Sequence, residues 1–213
     1  MCFSTEASFT AAALLAGFGA ATIAKVKKPS LYLLAIIPCL FALQQFSEGL
    51  IWYNFRYQPL PSWLLTGSIY TYLFFAFLVW PVWIPLAFWI PQGKGLRRIL
   101  LFAIFLCGIA LSVLNALAGL QGHVGAEVSI RSIQYTGSAP EQLLLYPLVV
   151  LAPCFISDLK NAAQFGFLIV TAYLIADYIY ENNLTSVWCF FSAIASLFVY
   201  KIIKDNQSDA SLL

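Results

Sequence analysis

SWLLTGSIYTYLFFAFLVWPVWIPLAFWIPQGKGLRR, residues 62–98, decides the fold. From Ser62 to Ile90 it carries no charged residue, and Lys94, Arg97 and Arg98 then follow closely. A helix needs about 20 mostly apolar residues to cross a bilayer. This run exceeds that length, and a basic cluster at one end is how membrane segments declare their cytoplasmic side. Its second half places Pro81, Pro85 and Pro91 among Trp80, Trp83 and Trp89. Proline removes a helix donor and kinks the axis, and tryptophan favours the membrane interface. The spacing predicts a helix over 62–84 that gives way to a bent, interfacial end.

Six more apolar stretches flank this one. The expected helices are 6–25, 30–54, 62–84, 96–119, 142–158, 162–182 and 185–204, forming one all-α domain over 1–204. A polar tail over 205–213 follows. Lys25, Lys27, Lys28, Lys94, Arg97, Arg98, Lys160, Lys201 and Lys204 fall on one side of this pattern, and only Arg56 and Arg131 on the other. Nine against two places the N-terminus outside and the C-terminus inside. At 62% hydrophobic and 9% charged, with mean hydropathy +0.85, the chain cannot be an ordinary soluble domain. The net charge of +2 sits on one rim and reads as orientation, which excludes a nucleic-acid surface. The first charge is Glu6, so the opening segment reads as a retained helix and not as a cleaved signal.

Local patterns add detail. Ala13, Gly17 and Ala21, with Ala16, Ala20 and Ala24, form small-residue stripes that predict close packing of the first helix. The one sizeable loop, about 120–141, contains VSIRSIQYTG, whose alternation suggests a short hairpin. IIPCLFA at 36–42 and LAPCFIS at 151–157 echo each other weakly. Cys39, Cys107 and Cys154 fall inside apolar segments as small hydrophobes. Cys2 and Cys189 are placed near the outer surface, where two free thiols are favoured over a disulfide.

Charge inside a membrane helix costs about 2.5–3.5 kcal/mol or more at the centre, so each such residue needs a reason. Gln44, Glu48 and Trp52 share one face of the second helix at i, i+4, i+8. Asp177 and Glu181 are i, i+4 on the sixth, with Tyr173 a turn deeper, and His123 follows the fourth. The topology sides all of them together. The expectation is an outward-facing polar cavity, with Glu48, His123 and Asp177 as catalytic candidates and Gln44, Trp52, Tyr173 and Glu181 as lining. Tyr70 and Tyr72 are further candidates for the same lining. Cys2, Glu48, His123 and Cys189 are a zinc-compatible donor set, and three protein ligands plus water make a hydrolytic site. The plainer reading is that Glu6 and Glu181 end helices in the headgroup zone, that Asp177 bonds a tyrosine, and that Asn115 with Ser112 pairs helices. The sequence holds no G-x-S-x-G, H-E-x-x-H, P-loop or C-x-x-C motif, and no lysine inside the seventh helix for a retinal Schiff base.

MCFSTEASF at the start, QQFSEG followed by Trp52, the Gly122–His123 pair and VWCFFSA in the last helix resemble an uncharacterised bacterial membrane family. Its members begin Met-Cys-Phe-Ser and carry Trp-Cys-Phe near the C-terminus. That resemblance implies a bacterial inner-membrane protein and no particular activity. A fainter likeness, in helix count and a zinc site within the bundle, is to alkaline ceramidases and the progestin-and-adipoQ receptors. The chain departs from them in having a single histidine. The expected function is therefore binding of a metal ion, small molecule or lipid headgroup, with hydrolysis of a lipid amide or ester as one version. A proton- or cation-coupled transporter using Glu48 and Asp177, and a purely structural membrane protein, are the alternatives. Membrane lipids are the expected partners.

Overall fold

The computed structural model describes residues 4–121, 125–129, 132–136, 145–179 and 184–207. Its helices are α1 (Thr5–Ala24), α2 (Pro29–Arg56), α3 (Ser62–Trp89), α4 (Leu96–Gln121), α5 (Leu145–Ile156), α6 (Ala162–Ile179) and α7 (Leu184–Gln207). Between α4 and α5 lie two strands, β1 (Gly125–Ser129) and β2 (Ser132–Thr136). α1, α2, α3, α4 and α7 are long and apolar enough to cross a membrane, which marks the chain as a membrane protein. α5 and α6 are apolar but shorter over their described residues. α2, α3 and α7 are the central helices, whereas α1 and α4 keep most of their surface outside the bundle.

α1 starts at Ser4, whose Oγ accepts the Ala7 N–H at 3.2 Å. Its buried face is Thr5, Ser8, Ala12, Leu15, Gly19 and Thr22. The small-residue stripes expected to pack instead point away: Ala13, Gly17, Ala21, Ala16, Ala20 and Ala24 are exposed. Close approach happens elsewhere. A Cβ on Gly19 would meet the Cys39 Sγ at 2.5 Å, and one on Gly49 would meet the Phe9 ring at 2.7 Å.

Helix α2 is broken at Ile36, because Pro38 has no N–H to offer the Leu34 carbonyl. The neighbouring Leu33 carbonyl accepts the Trp83 indole N–H at 2.9 Å. In α3 the helix widens to a π-turn over Phe74–Val79, where the Trp80 N–H reaches back five residues to Phe75. Pro81 then orphans one carbonyl in either register: Ala76 five residues back, Phe77 four back. Both have substitutes. The Tyr146 hydroxyl donates to Ala76, Asn115 Nδ2 to Phe77 at 3.3 Å, and Ser112 Oγ to Leu78 at 3.0 Å. With its carbonyls satisfied from α4 and α5, α3 stays helical to Trp89 and does not end near residue 84. Asn115 and Ser112 are thus helix-pairing groups. Pro85 frees the Pro81 carbonyl, and Gly108 of α4 lies so close that a Cβ would stand 1.9 Å from that oxygen.

β1 and β2 pair antiparallel, with Ser129 opposite Ser132, so a two-residue connection joins them. β2 turns back onto α7, burying Ile133 completely and stacking Tyr135 on Tyr72 with centroids 4.5 Å apart. This closes one end of the bundle, the hairpin end, where α1 begins. At the opposite, basic end, α7 runs past Lys204 to Gln207. Asp205, Asn206 and Gln207, expected in a free tail, instead bond the turns before α2 and α6. Lys160 N–H donates to Asn206 Oδ1 at 3.0 Å, and Asn161 Nδ2 to Asp205 Oδ2 at 2.6 Å. Lys28 Nζ reaches the Asn206 carbonyl at 2.8 Å, and the Lys27 N–H the Gln207 side chain. Asn161 takes the left-handed conformation (φ 67°) that lets this turn close.

Candidate functional site

Below the hairpin lies a polar layer inside an otherwise apolar bundle. α2 supplies Gln44, Gln45, Glu48 and Trp52, which share its inward face and are all buried. Glu48 is 1% exposed. Its Oε1 accepts the Ser186 hydroxyl of α7 at 2.5 Å, and its Oε2 accepts Gln45 Nε2 at 3.2 Å. Gln44 sits one turn toward the basic end. It receives the Trp80 indole N–H at 2.9 Å and gives its own amide to the Tyr72 carbonyl at 3.4 Å. The Tyr72 hydroxyl donates to the Thr185 carbonyl at 3.3 Å. Cys189, buried on α7, lies one helical turn from Ser186. α2 and α7 thus meet at the carboxylate, while α3 and β2 join the layer through Gln44 and Tyr72.

The local sequence explains the convergence. Gln45 and Glu48 are i, i+3 and Gln44 and Glu48 i, i+4, so one helical face presents all three. Ser186 and Cys189 are likewise i, i+3 on α7. The π-turn rotates Trp80 inward, and Phe41 stacks on it at 4.0 Å. Tyr135, outside the membrane-spanning segments, is held as a neutral phenol well above its ordinary range by burial.

Buried polar atoms normally find partners, and those that do not need explaining. Among the described residues, five buried side-chain atoms have none: Thr5 Oγ1, Gln45 Oε1, Trp52 Nε1, Trp89 Nε1 and Tyr135 OH. Trp89 is at the basic end. The other four lie on elements that meet at the hairpin end: the first turn of α1, the second half of α2 and β2.

The expected site residues separate. Glu48, Gln44, Trp52 and Cys189 gather here, and Tyr72 joins them. Cys189 is a free thiol in the core and not a surface thiol at a cavity mouth. Tyr70 is exposed. Asp177 is exposed on α6 beside Tyr173, so of the two residues expected along a cation path only Glu48 is buried in the bundle. Tyr173 packs edge-on against Trp188 at 5.1 Å, short of the polar layer. Cys2, His123 and Glu181 lie outside the described residues. Of the zinc set, Glu48 and Cys189 come to the same layer, and no group of three His, Cys, Asp or Glu forms among the described residues. Glu6 follows the plainer reading. It sits in the first turn of α1 and accepts the Tyr57 hydroxyl, a bond that holds the Tyr57 phenol above its usual range.

Residues the sequence did not single out for the site are Gln45, Ser186, Trp80 and Tyr135. Ser186 had a signal, its i, i+3 spacing to Cys189. Tyr135 had none, since its place depends on where the hairpin folds back. Toward the basic end, a cavity of about 30 Å³ adjoins the layer through Trp80 and Cys189, lined also by Tyr146, Cys154, Trp188 and Ser192. It has room for a water or two and not for a substrate.

The chain belongs to a family of unknown function, DUF6629, whose model matches residues 1–211. This is the uncharacterised family that its terminal motifs led one to expect. Comparison with curated proteins and with solved structures returns no match.

Proposed function

We propose that this is a seven-span membrane protein, N-terminus outside, whose polar layer at the outer end binds a small polar ligand or ion. Glu48 is the centre of that site, with Gln45, Gln44, Ser186 and Cys189 around it. The clustering of four unpartnered buried polar atoms at this one end carries the reading. Leaving each such atom bare costs about 1–3 kcal/mol, so a polar occupant restores what the protein does not supply. The nine-to-two charge distribution supports the orientation, because it sets the hairpin end opposite the basic rim. In the zinc-hydrolase version of this site, Cys2 and His123 join Glu48 and Cys189 as ligands, and metal analysis of the purified protein tests it.

Accessibility tests the site itself. In a variant whose five native cysteines are serine, Ser186→Cys places one thiol in the layer. A membrane-impermeant methanethiosulfonate applied to the outer face of intact cells labels it. Absence of labelling in protein that a permeant reagent does label, or labelling from the inner face alone, removes this reading.

A further inference from the structure

Glu48 brings an ionisable carboxyl group into the bundle, and each of its oxygens already has a hydrogen-bond partner. Donors soften the cost of a buried carboxylate without neutralising it. No lysine or arginine pairs with it among the described residues. Beside it, Gln45 gives its amide N–H to Glu48 and leaves its own carbonyl oxygen, fully buried, without a partner. Thr5 and Tyr135 contribute unpartnered hydroxyls at the same end. These are hard oxygen donors, and the Glu48 carboxyl is the one acidic group among them.

We infer that the layer is a site for a monovalent metal cation, sodium or potassium, held by the Glu48 carboxylate and the free Gln45 amide oxygen, with hydroxyl oxygens completing the shell. The inference rests on the proposed ligand site and names its occupant. One carboxylate balances one positive charge, whereas calcium takes 6–8 oxygen ligands and gains affinity with the number of charged ones. An organic ammonium ion would ask for an open aromatic face. Tyr72 and Tyr135, the stacked pair at this layer, cover each other, lying 10° from parallel.

Thermal unfolding of the purified protein in detergent tests this in sodium, potassium and choline chloride at equal ionic strength, with a fourth arm of zinc in choline chloride. A bound ion raises the melting temperature in a saturable way. The expected result is a rise of several degrees in sodium or potassium over choline. The preferred ion shows which of the two the site selects. Glu48→Gln abolishes the difference, and Gln45→Leu raises the half-saturating concentration. Unfolding of each variant in choline confirms that it is folded. Equal melting in all three chlorides, an undiminished ion effect in Glu48→Gln, or stabilisation by zinc alone overturns the assignment. Labelling of Ser186→Cys with a flat ion response would leave the ligand site standing and remove only the cation. Loss of both would remove the two together.

Discussion

Ser186 shows how much one hydroxyl can matter in this setting. It is fully buried, and its hydroxyl donates to the Glu48 carboxylate 2.5 Å away. Removing it leaves one carboxylate oxygen without a donor, and a hydrogen bond to a charged group contributes about 1.5–3 kcal/mol. Ser186→Ala is therefore expected to lower the unfolding free energy by that amount in a denaturant titration in mixed micelles. Ser186→Thr, which keeps the hydroxyl, recovers part of it. An alanine variant as stable as wild type would mean that the contact is not made. At this scale the sequence was a partial guide. Glu48 announced itself because a carboxylate in an apolar helix demands a reason, and Gln44 and Trp52 followed by helical spacing. Asp177 made the same demand and was exposed, because one helix's sequence cannot say which of its faces a neighbour covers.

Among the elements, α3 departs furthest from what its residues suggest alone. Three prolines among tryptophans read as the end of a helix, yet the helix continues, because side chains from α4 and α5 supply the bonds that Pro81 withholds. That information is spread over three segments and has no local signature. The contact of α3 with α4 then depends on Gly108. A methyl group there would stand 1.9 Å from the Pro81 carbonyl, a backbone atom that cannot swing aside. Gly108→Ala should cost about 1–3 kcal/mol by overpacking. Gly17→Ala, whose Cβ would meet nothing within 4 Å, should change stability by less than about 0.5 kcal/mol. Equal stability of the two variants, measured side by side, would contradict the close approach. Small-residue stripes in α1 pointed to the wrong face for a related reason: composition marks where packing is possible, and only the partner decides where it occurs. The echoed Pro-Cys pairs illustrate this. Cys39 is met by Gly19 and Cys154 by Gly166, one packing solution used twice, with the glycine helix first in one pair and second in the other.

Taken whole, the molecule was the most legible level. Apolar stretches long enough to span a bilayer, separated by short polar connections, leave little choice of architecture, and the hairpin followed from its alternation. The C-terminal boundary was not legible, because Asp205, Asn206 and Gln207 look like any polar tail until their partners are in place. Asn206 is central there, giving and receiving bonds with Lys160 and accepting from Lys28 through its carbonyl. Asn206→Ala is expected to lower the melting temperature and to speed proteolysis at the 157–161 turn. Resistance to proteolysis equal to wild type would show the tie to be dispensable. The location of this tie also sets an order of events during synthesis. The turn at Lys27 leaves the ribosome early, yet its partner Gln207 lies 180 residues later. Until Gln207 has emerged, the nascent chain must sit in the bilayer with that turn unfastened. A chain ending a few residues short would never fasten it, and a protease that patrols the membrane could tell the two apart.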